Sequence, residues 1–455
     1  MFIRRMRPTW ALVPMVALIV VACTGTPTTA PTGTPAGTPS GTAAATATPA
    51  GTQAAGTCPA GTTQIEVQSW WTTGGESTGL QKLFDKFNAD NPDLCAYNAA
   101  IAGGAGTVAQ GVVKTRVLSG NPPDSFQVHM GHELLDTYVN ISSGSVLTPL
   151  DTSIIDPSKF PAGVVKIISG SDGKVYTVPE NIHRANVLWY SKKVFADNNL
   201  KPPTTWDEFK TAADALKAKG IAALALGDKD IWPYGMVFET ILISELGADG
   251  FNGLWTGATK WDDPKVTAAL TELQTVYGFV NSDHKSLTWD QANQLVIDGK
   301  AAMTIMGDWA NGDYVAKKFT DYGWAAAPGN AKLYQALADS FPLPNKAPHP
   351  DAVKKLLTFM ATAEAQDIFN PWKGSIPANI DAGNPPADAQ QYNDYQKSAL
   401  AEWKTDTVIP SMEHGAAASP AFKTAIETAL TTFQTSGDVA ATVAALVAAA
   451  GDAGL

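Results

Sequence analysis

The sequence predicts an α/β protein of two lobes, and three features predict it. From Gln64 onward, short apolar strands alternate with amphipathic helices, the order that builds parallel sheets through right-handed crossovers. About 400 residues follow Cys58, more than a single core usually fills. Hydrophobic residues make up 45% of the chain and include 13 Trp, ample for two cores with aromatics to spare.

The N-terminus reads as an export leader. Arg4, Arg5 and Arg7 precede an apolar stretch from Trp10 to Ala22 that stops at Cys23, which is the build of a signal peptide over residues 1–22. The stretch is too short to span a bilayer with ease. Val20 to Cys23 (VVAC) resembles a bacterial lipobox with Val where Leu is commoner, so cleavage would leave Cys23 as a lipidated N-terminus on the extracytoplasmic face of the membrane. Of the next 34 residues, 24–57, 32 are Thr, Ala, Gly or Pro and none is charged. Such a segment buries too little surface to fold. With Cys23 it reads as a tether with an r.m.s. span of roughly 30–35 Å.

Charge and cysteine content narrow the partners. The formal net charge of −11 argues against nucleic acid or an anionic membrane surface. With Cys23 assigned to lipid, Cys58 and Cys95 remain; in an exported chain a disulfide is the expected pairing, with two free thiols as the alternative. No group of Cys and His has metal-ligand spacing, so no metal and no cofactor are expected.

The elements follow in order. IEVQSWW is a strand and GGESTGLQKLFDKFNADNP a helix stopped at Asn91-Pro92; CAYNAAIAG is a second strand and VAQGVVKTRVLSGNPPD a second helix. SFQVHMG is a third strand running into a turn at Gly131. In a parallel sheet, ligands bind beyond the carboxyl ends of the strands, where Trp70, Trp71, Gln127 and His129 fall. A second series starts near NVLWYSKKVF and holds the helices WDEFKTAADALKAKG, WPYGMVFETILISELG, DPKVTAALTELQTVYGFV and WDQANQLVIDGK with the strands IAALALG and AAMTIMGDWA. After DSFPLP come the helix PDAVKKLLTFMATAEA and two terminal helices, the last rich in Ala. The lack of a tandem repeat excludes a solenoid.

Several residues carry ligand chemistry. WWTTGGE places two indoles at a strand end, a Gly-Gly turn and Glu76 at a helix start. Indole faces stack on C–H surfaces, and a carboxylate accepts from paired hydroxyls. Successive strand residues point to opposite faces, so one of Trp70 and Trp71 belongs to the core unless the strand end is irregular. Gln127 and His129 share a strand face, and each both donates and accepts, which suits a polyol. Trp289 opens a helix, where packing is the ordinary role, and Trp309 sits at a strand-to-turn junction. Lys373 and His414 lie in loops containing Gly and Pro, where ordered polar residues often serve a ligand.

Together WWTTGGE, QVHMGHEL, KAAMTIMGDWANG, ADSFPLP, KGSIPAN and IPSMEHG, in this order and at these distances, resemble the extracellular solute-binding proteins of carbohydrate ABC importers, and within them the glucose-binding branch. The resemblance covers nearly all of residues 64–435. It implies a two-lobed clamp like the periplasmic binding proteins, with parallel-dominated sheets and a chain that crosses between lobes several times. Lobe one would hold 58–182 and 337–380, and lobe two 183–336 and 381–455. It implies a monosaccharide ligand, with glucose ahead of galactose or mannose, a stacking pair among Trp71, Trp289 and Trp309 with Trp70 beside them, and hydrogen-bonding residues Glu76, Gln127, His129, Asp339, Lys373 and His414. The partners it implies are permease subunits in the membrane, approached by a monomer with no catalytic residues. A binder of disaccharides or short oligosaccharides is the alternative. A secreted glycosidase would instead use Glu76 and Asp339 as a carboxylate pair, though nothing else in the sequence places an acid or activates a water.

Overall fold

The structure, a computed structural model, describes residues 58–102 and 106–455. The leader, Cys23 and the tether lie outside the described residues. Among the described residues no helix is long and apolar enough to cross a membrane.

Strands β1 (Thr63–Gln68), β2 (Leu94–Asn98) and β3 (Ser125–Phe126) form a parallel sheet in the order β2-β1-β3. Helices Gly74–Asp90 and Thr107–Leu118 are its crossovers. The expected third strand is broken at Gln127. Its second half, β4 (Val128–His129), leaves β1 and pairs with a strand more than 200 positions later in the chain. Cys58 is bonded to Cys95, the second residue of β2, across 5.8 Å between Cα atoms.

Next come β5 (Thr177–Pro179), β6 (Asn181–Arg184) and β7 (Val187–Ser191), three strands on one nearly continuous extended segment. Strands β8 (Ala222–Leu224), β9 (Ala301–Met306) and β10 (Tyr322–Ala326) join β7 in a second sheet, β10-β7-β9-β8. The extended segment β11 (Leu333–Leu337) to β12 (Asp339–Pro342) returns antiparallel along β6 and β5. With β13 (Ile376–Pro377) and β14 (Thr407–Pro410) it completes two more sheets, β13-β6-β11-β14 and β4-β12-β5.

Parallel pairing therefore rules the first sheet but not the molecule, which corrects the expectation of parallel-dominated sheets. Among the described residues, four strand pairs are parallel and six antiparallel. A parallel pair needs a helix to carry the chain back. Where the chain instead runs out and returns as two extended segments, neighbours can only be antiparallel.

Two main hydrophobic cores result. One gathers Trp71, Phe84, Phe87, Phe341 and Phe369; the other gathers Phe209, Phe238, Phe251, Leu270 and Phe433. Trp309, Tyr314 and Tyr395 pack into the first. The paired segments 177–191 and 333–342 supply residues to both cores. Helix ends are fixed locally: Thr205 and Thr362 cap their helices with side-chain oxygens, and Thr288 and Gln291 form a capping box at the start of Trp289–Ile297.

Candidate binding cleft

A cleft of about 440 Å³ opens where these elements converge, within the range of small-ligand sites. Nine of the ten residues singled out from the sequence line it: Trp70, Trp71, Glu76, His129, Trp289, Trp309, Asp339, Lys373 and His414. They arrive from eight separate elements or loops.

Glycine brings the first of these together. A Cβ on Gly75 would lie 2.1 Å from the carbonyl oxygen of Trp372 and 2.5 Å from that of Gly312. Only a bare backbone lets the first turn of helix Gly74–Asp90 seat between helices Trp309–Ala316 and Ala363–Lys373. Lys373 ends the latter helix, closed by Gly374 in the left-handed conformation at φ 93°. This seating places Lys373 Nζ against Glu76 Oε1, to which it donates. The ammonium lies 4.8 Å from the ring centroid of Trp71 and 6.0 Å from that of Trp309, so a buried cation is held by a carboxylate and two indole faces. Burial raises the Glu76 carboxyl above its ordinary range, and Lys373 opposes that shift.

Asp339 is the polar centre, 2% exposed. Register puts β12 beside β4, opposing Asp339 to His129, while β11 beside β6 opposes Leu337 to His183. Its Oδ1 accepts from Gln127 Nε2 at 2.8 Å, and its Oδ2 accepts from Asn181 Nδ2 at 2.8 Å and His183 Nε2 at 3.1 Å. Burial alone would raise this carboxyl, but the His183 hydrogen bond and the charges of Lys373, His183 and His129 outweigh it and hold Asp339 well below the usual carboxylate range. On its other side His183 donates from Nδ1 to the buried Asp308. Burial favours the neutral ring, yet Asp308 and Asp339 together hold the His183 pKa above its ordinary value.

Aromatic rings form the walls. Trp70 lies 4.9 Å from His129, and Trp309 lies 5.2 Å from His414, 5.4 Å from His183 and 6.1 Å from Trp232. Trp289, with Thr288 and Asp290, lines the cleft, as do Lys229 and Asp230. His414 is anchored through Nδ1 to Ser411 Oγ at 2.9 Å, and burial, with the charges of His129 and Lys423, lowers its pKa well below the usual imidazole value.

Two expected roles need correcting. Gln127 does not line the cleft: its amide accepts from the Trp70 backbone N–H at 3.2 Å and donates to Asp339, so it braces both from beneath. The break after β3 turns it away from the face of His129. Trp71 is 0% exposed, packed on Phe369 and Phe341 at 5.0 and 5.8 Å, and supports Lys373 from below instead of offering a stacking face. Adjacent residues at the strand end point to opposite sides, and Trp70 has the open one. His183, Lys229, Asp230 and Trp232 join the cleft although no motif in the sequence marks them. A pair of carboxylates for glycoside hydrolysis is not formed: Lys373 engages Glu76, and the surroundings of Asp339 deny it a proton to give.

The arrangement is a preformed polar cleft lined by indoles. The chain belongs to the bacterial extracellular solute-binding proteins, whose family model matches residues 71–367. It is 39% identical over 368 residues to an uncharacterised ABC transporter extracellular-binding protein of Pyrococcus horikoshii, covering 79% of this chain and 81% of that one. It is 30% identical over 372 residues to a probable sugar-binding periplasmic protein of Rhizobium meliloti, covering 79% and 87%. Among solved structures, that of the bacterial solute receptor AcbH, described as having an exclusive preference for β-D-galactopyranose, superimposes with a TM-score of 0.74 at 23% identity, covering 87% and 99%. That likeness shows the two-lobed fold. The chain is thus an extracytoplasmic solute-binding protein and not an enzyme.

Proposed function

We propose that this chain is the receptor of an ABC sugar importer, and that it takes one monosaccharide, glucose ahead of galactose or mannose, into the cleft and delivers it to the permease. The observation that carries the reading is the meeting of the part-exposed indoles Trp70 and Trp289, and the buried Trp309 of the cleft wall, with a buried, ionised Asp339 whose geometry is fixed by Gln127, Asn181 and His183. A pyranose offers what each part needs: C–H faces for the rings and vicinal hydroxyls for the carboxylate, the Lys373–Glu76 pair and His414. The named sugar-binding relative supports the substrate class.

In this reading Trp70, Trp289 and Trp309 stack on the sugar, while Glu76, His129, Asp339, Lys373 and His414 hydrogen-bond to it. Lobes of 58–182 with 337–380, and 183–336 with 381–455, close on the ligand, and closure is what the permease senses. The receptor works as a monomer held at the membrane by lipid on Cys23. A thermal-shift screen of glucose, galactose, mannose, xylose, maltose and raffinose tests it: a monosaccharide should raise the melting temperature most. Stabilisation by the di- or trisaccharide alone would favour the oligosaccharide alternative, and none by any sugar would end the proposal. Mass spectrometry of the native N-terminus should find lipidated Cys23; an unmodified terminus between Cys23 and Cys58 would refute the anchor.

A further inference from the structure

We infer that Glu239 is a positioning residue that decides whether His414 accepts or donates a hydrogen bond in the cleft, acting through the hydroxyl of Ser411. The choice of glucose as a probe rests on the sugar-receptor reading; the relay itself does not.

Glu239 lies on helix Trp232–Leu254 beneath the loop that carries His414, and it is 0% exposed. Its Oε1 accepts from the Met412 backbone N–H, and its Oε2 lies 3.1 Å from Ser411 Oγ. The same Ser411 oxygen lies 2.9 Å from His414 Nδ1. A hydroxyl has one hydrogen to give, and an ionised carboxylate can only accept. With Glu239 ionised, the Ser411 hydrogen therefore goes to Glu239, and the Ser411 oxygen accepts from Nδ1–H of His414. A neutral imidazole carries one hydrogen, so Nε2 is left as an acceptor, fit to receive the hydrogen of a ligand hydroxyl.

Protonation of Glu239 reverses the chain. Its own O–H now donates to Ser411, Ser411 donates to Nδ1, and the imidazole hydrogen passes by exchange with water from Nδ1 to Nε2. His414 then presents a donor to the cleft. Both states lie in reach of neutral pH. Burial pushes the Glu239 carboxyl up to about 7 against the hydrogen bonds from Met412 and Ser411, whereas burial keeps the His414 ring neutral throughout. The charged and titratable groups facing the relay are Glu413 in the same loop, Lys423 and Glu427 on the helix behind it, and His129, His183 and Asp339 on the cleft side.

The test is the tautomer of His414, read without ligand from long-range proton–nitrogen spectra of the full chain labelled with ¹⁵N-histidine. The His414 signals are those missing from a His414→Gln variant. Well above pH 7 the wild type should carry its hydrogen on Nδ1, and it should shift toward Nε2 as the pH falls through about 7. In Glu239→Gln the amide N–H donates to Ser411 as the protonated acid would, so Nε2–H should persist at every pH. In Ser411→Ala the tautomer should no longer follow pH. Glucose affinity should differ about tenfold between wild type and Glu239→Gln above pH 7, one hydrogen bond made or left unpaired. Nε2–H in the wild type at high pH would overturn the relay on its own, even if neither variant folds; so would an unchanged tautomer in Glu239→Gln. If instead the tautomers behave as stated and no sugar binds, the sugar-receptor reading falls and the relay stands.

Discussion

At the scale of residues, the proposed function divides recognition between rings that read shape and charges that read hydroxyls. Trp289→Ala should remove a stacking face and weaken every pyranose by a similar factor, on the order of 1–3 kcal/mol. Asp339→Asn should discriminate instead, hurting most the sugars that present a hydroxyl to that oxygen and leaving epimers less affected. Titration of glucose and two epimers against both variants checks the contrast, and equal losses for Asp339→Asn across all sugars would refute it. Buried acids also give pH a predictable hand in stability. Because burial raises Glu239 from 4.5 to about 7, its contribution to stability is complete below 4.5 and is lost as pH rises through 7. The wild type should therefore lose on the order of 3 kcal/mol relative to Glu239→Gln between those limits. Chemical denaturation of both proteins across that range measures it; a constant difference would contradict the shift. Most of the cleft residues are legible because Trp, His and Lys stand beside Gly or Pro at the ends of elements. His183 is not, because NIHR is an uninterrupted extended stretch with no turn or aromatic cue. Only strand pairing across more than 150 positions brings its ring to Asp339.

At the scale of elements, one contact seats the first helix at the site and one bond ties the strands of the first sheet at their other end. The Gly75 backbone touches two neighbouring helices at distances no side chain allows. Gly75→Ala should cost about 1–3 kcal/mol as the helix is pushed away, and it should weaken sugar binding by separating Glu76 from Lys373. Denaturation and titration of this variant check both, and retention of wild-type values would show the seating to be yielding. The bond between Cys58 and Cys95 closes a loop with a sequence separation of 37, for which chain entropy predicts roughly 3–4 kcal/mol. Reductant should lower the melting temperature accordingly; no change, with both thiols open to alkylation in the native protein, would deny the bridge. The crossovers of the first sheet are readable because their helices are amphipathic and end at Pro or Gly. The extended pairs 177–191 and 333–342 are not, since antiparallel partners so far apart leave no local periodicity to read. Gln127 escapes a sequence reading for a related reason: a strand that changes partners midway rotates a residue which a regular strand would have kept on the face of His129.

At the scale of the whole molecule, two hydrophobic cores share a pair of extended segments, and the cleft lies where those segments cross. A ligand that touches Asp339 thereby touches a strand in a segment that supplies residues to both cores, while Trp289 and Trp309 line the same cleft from helix starts outside it. If the lobes close on the sugar as proposed, binding and closure are one event that removes the apolar stacking surface from water, and binding should carry a negative heat-capacity change. Length and periodicity make the two lobes and their helices plain in the sequence, whereas the crossing itself is a product of long-range pairing. The most direct measurement is isothermal titration of the purified chain with glucose, galactose and mannose at two or more temperatures. One of them should bind with one site per chain and a heat-capacity change below zero. No heat from any of the three, or binding that survives Asp339→Ala unchanged, would contradict a monosaccharide site in this cleft.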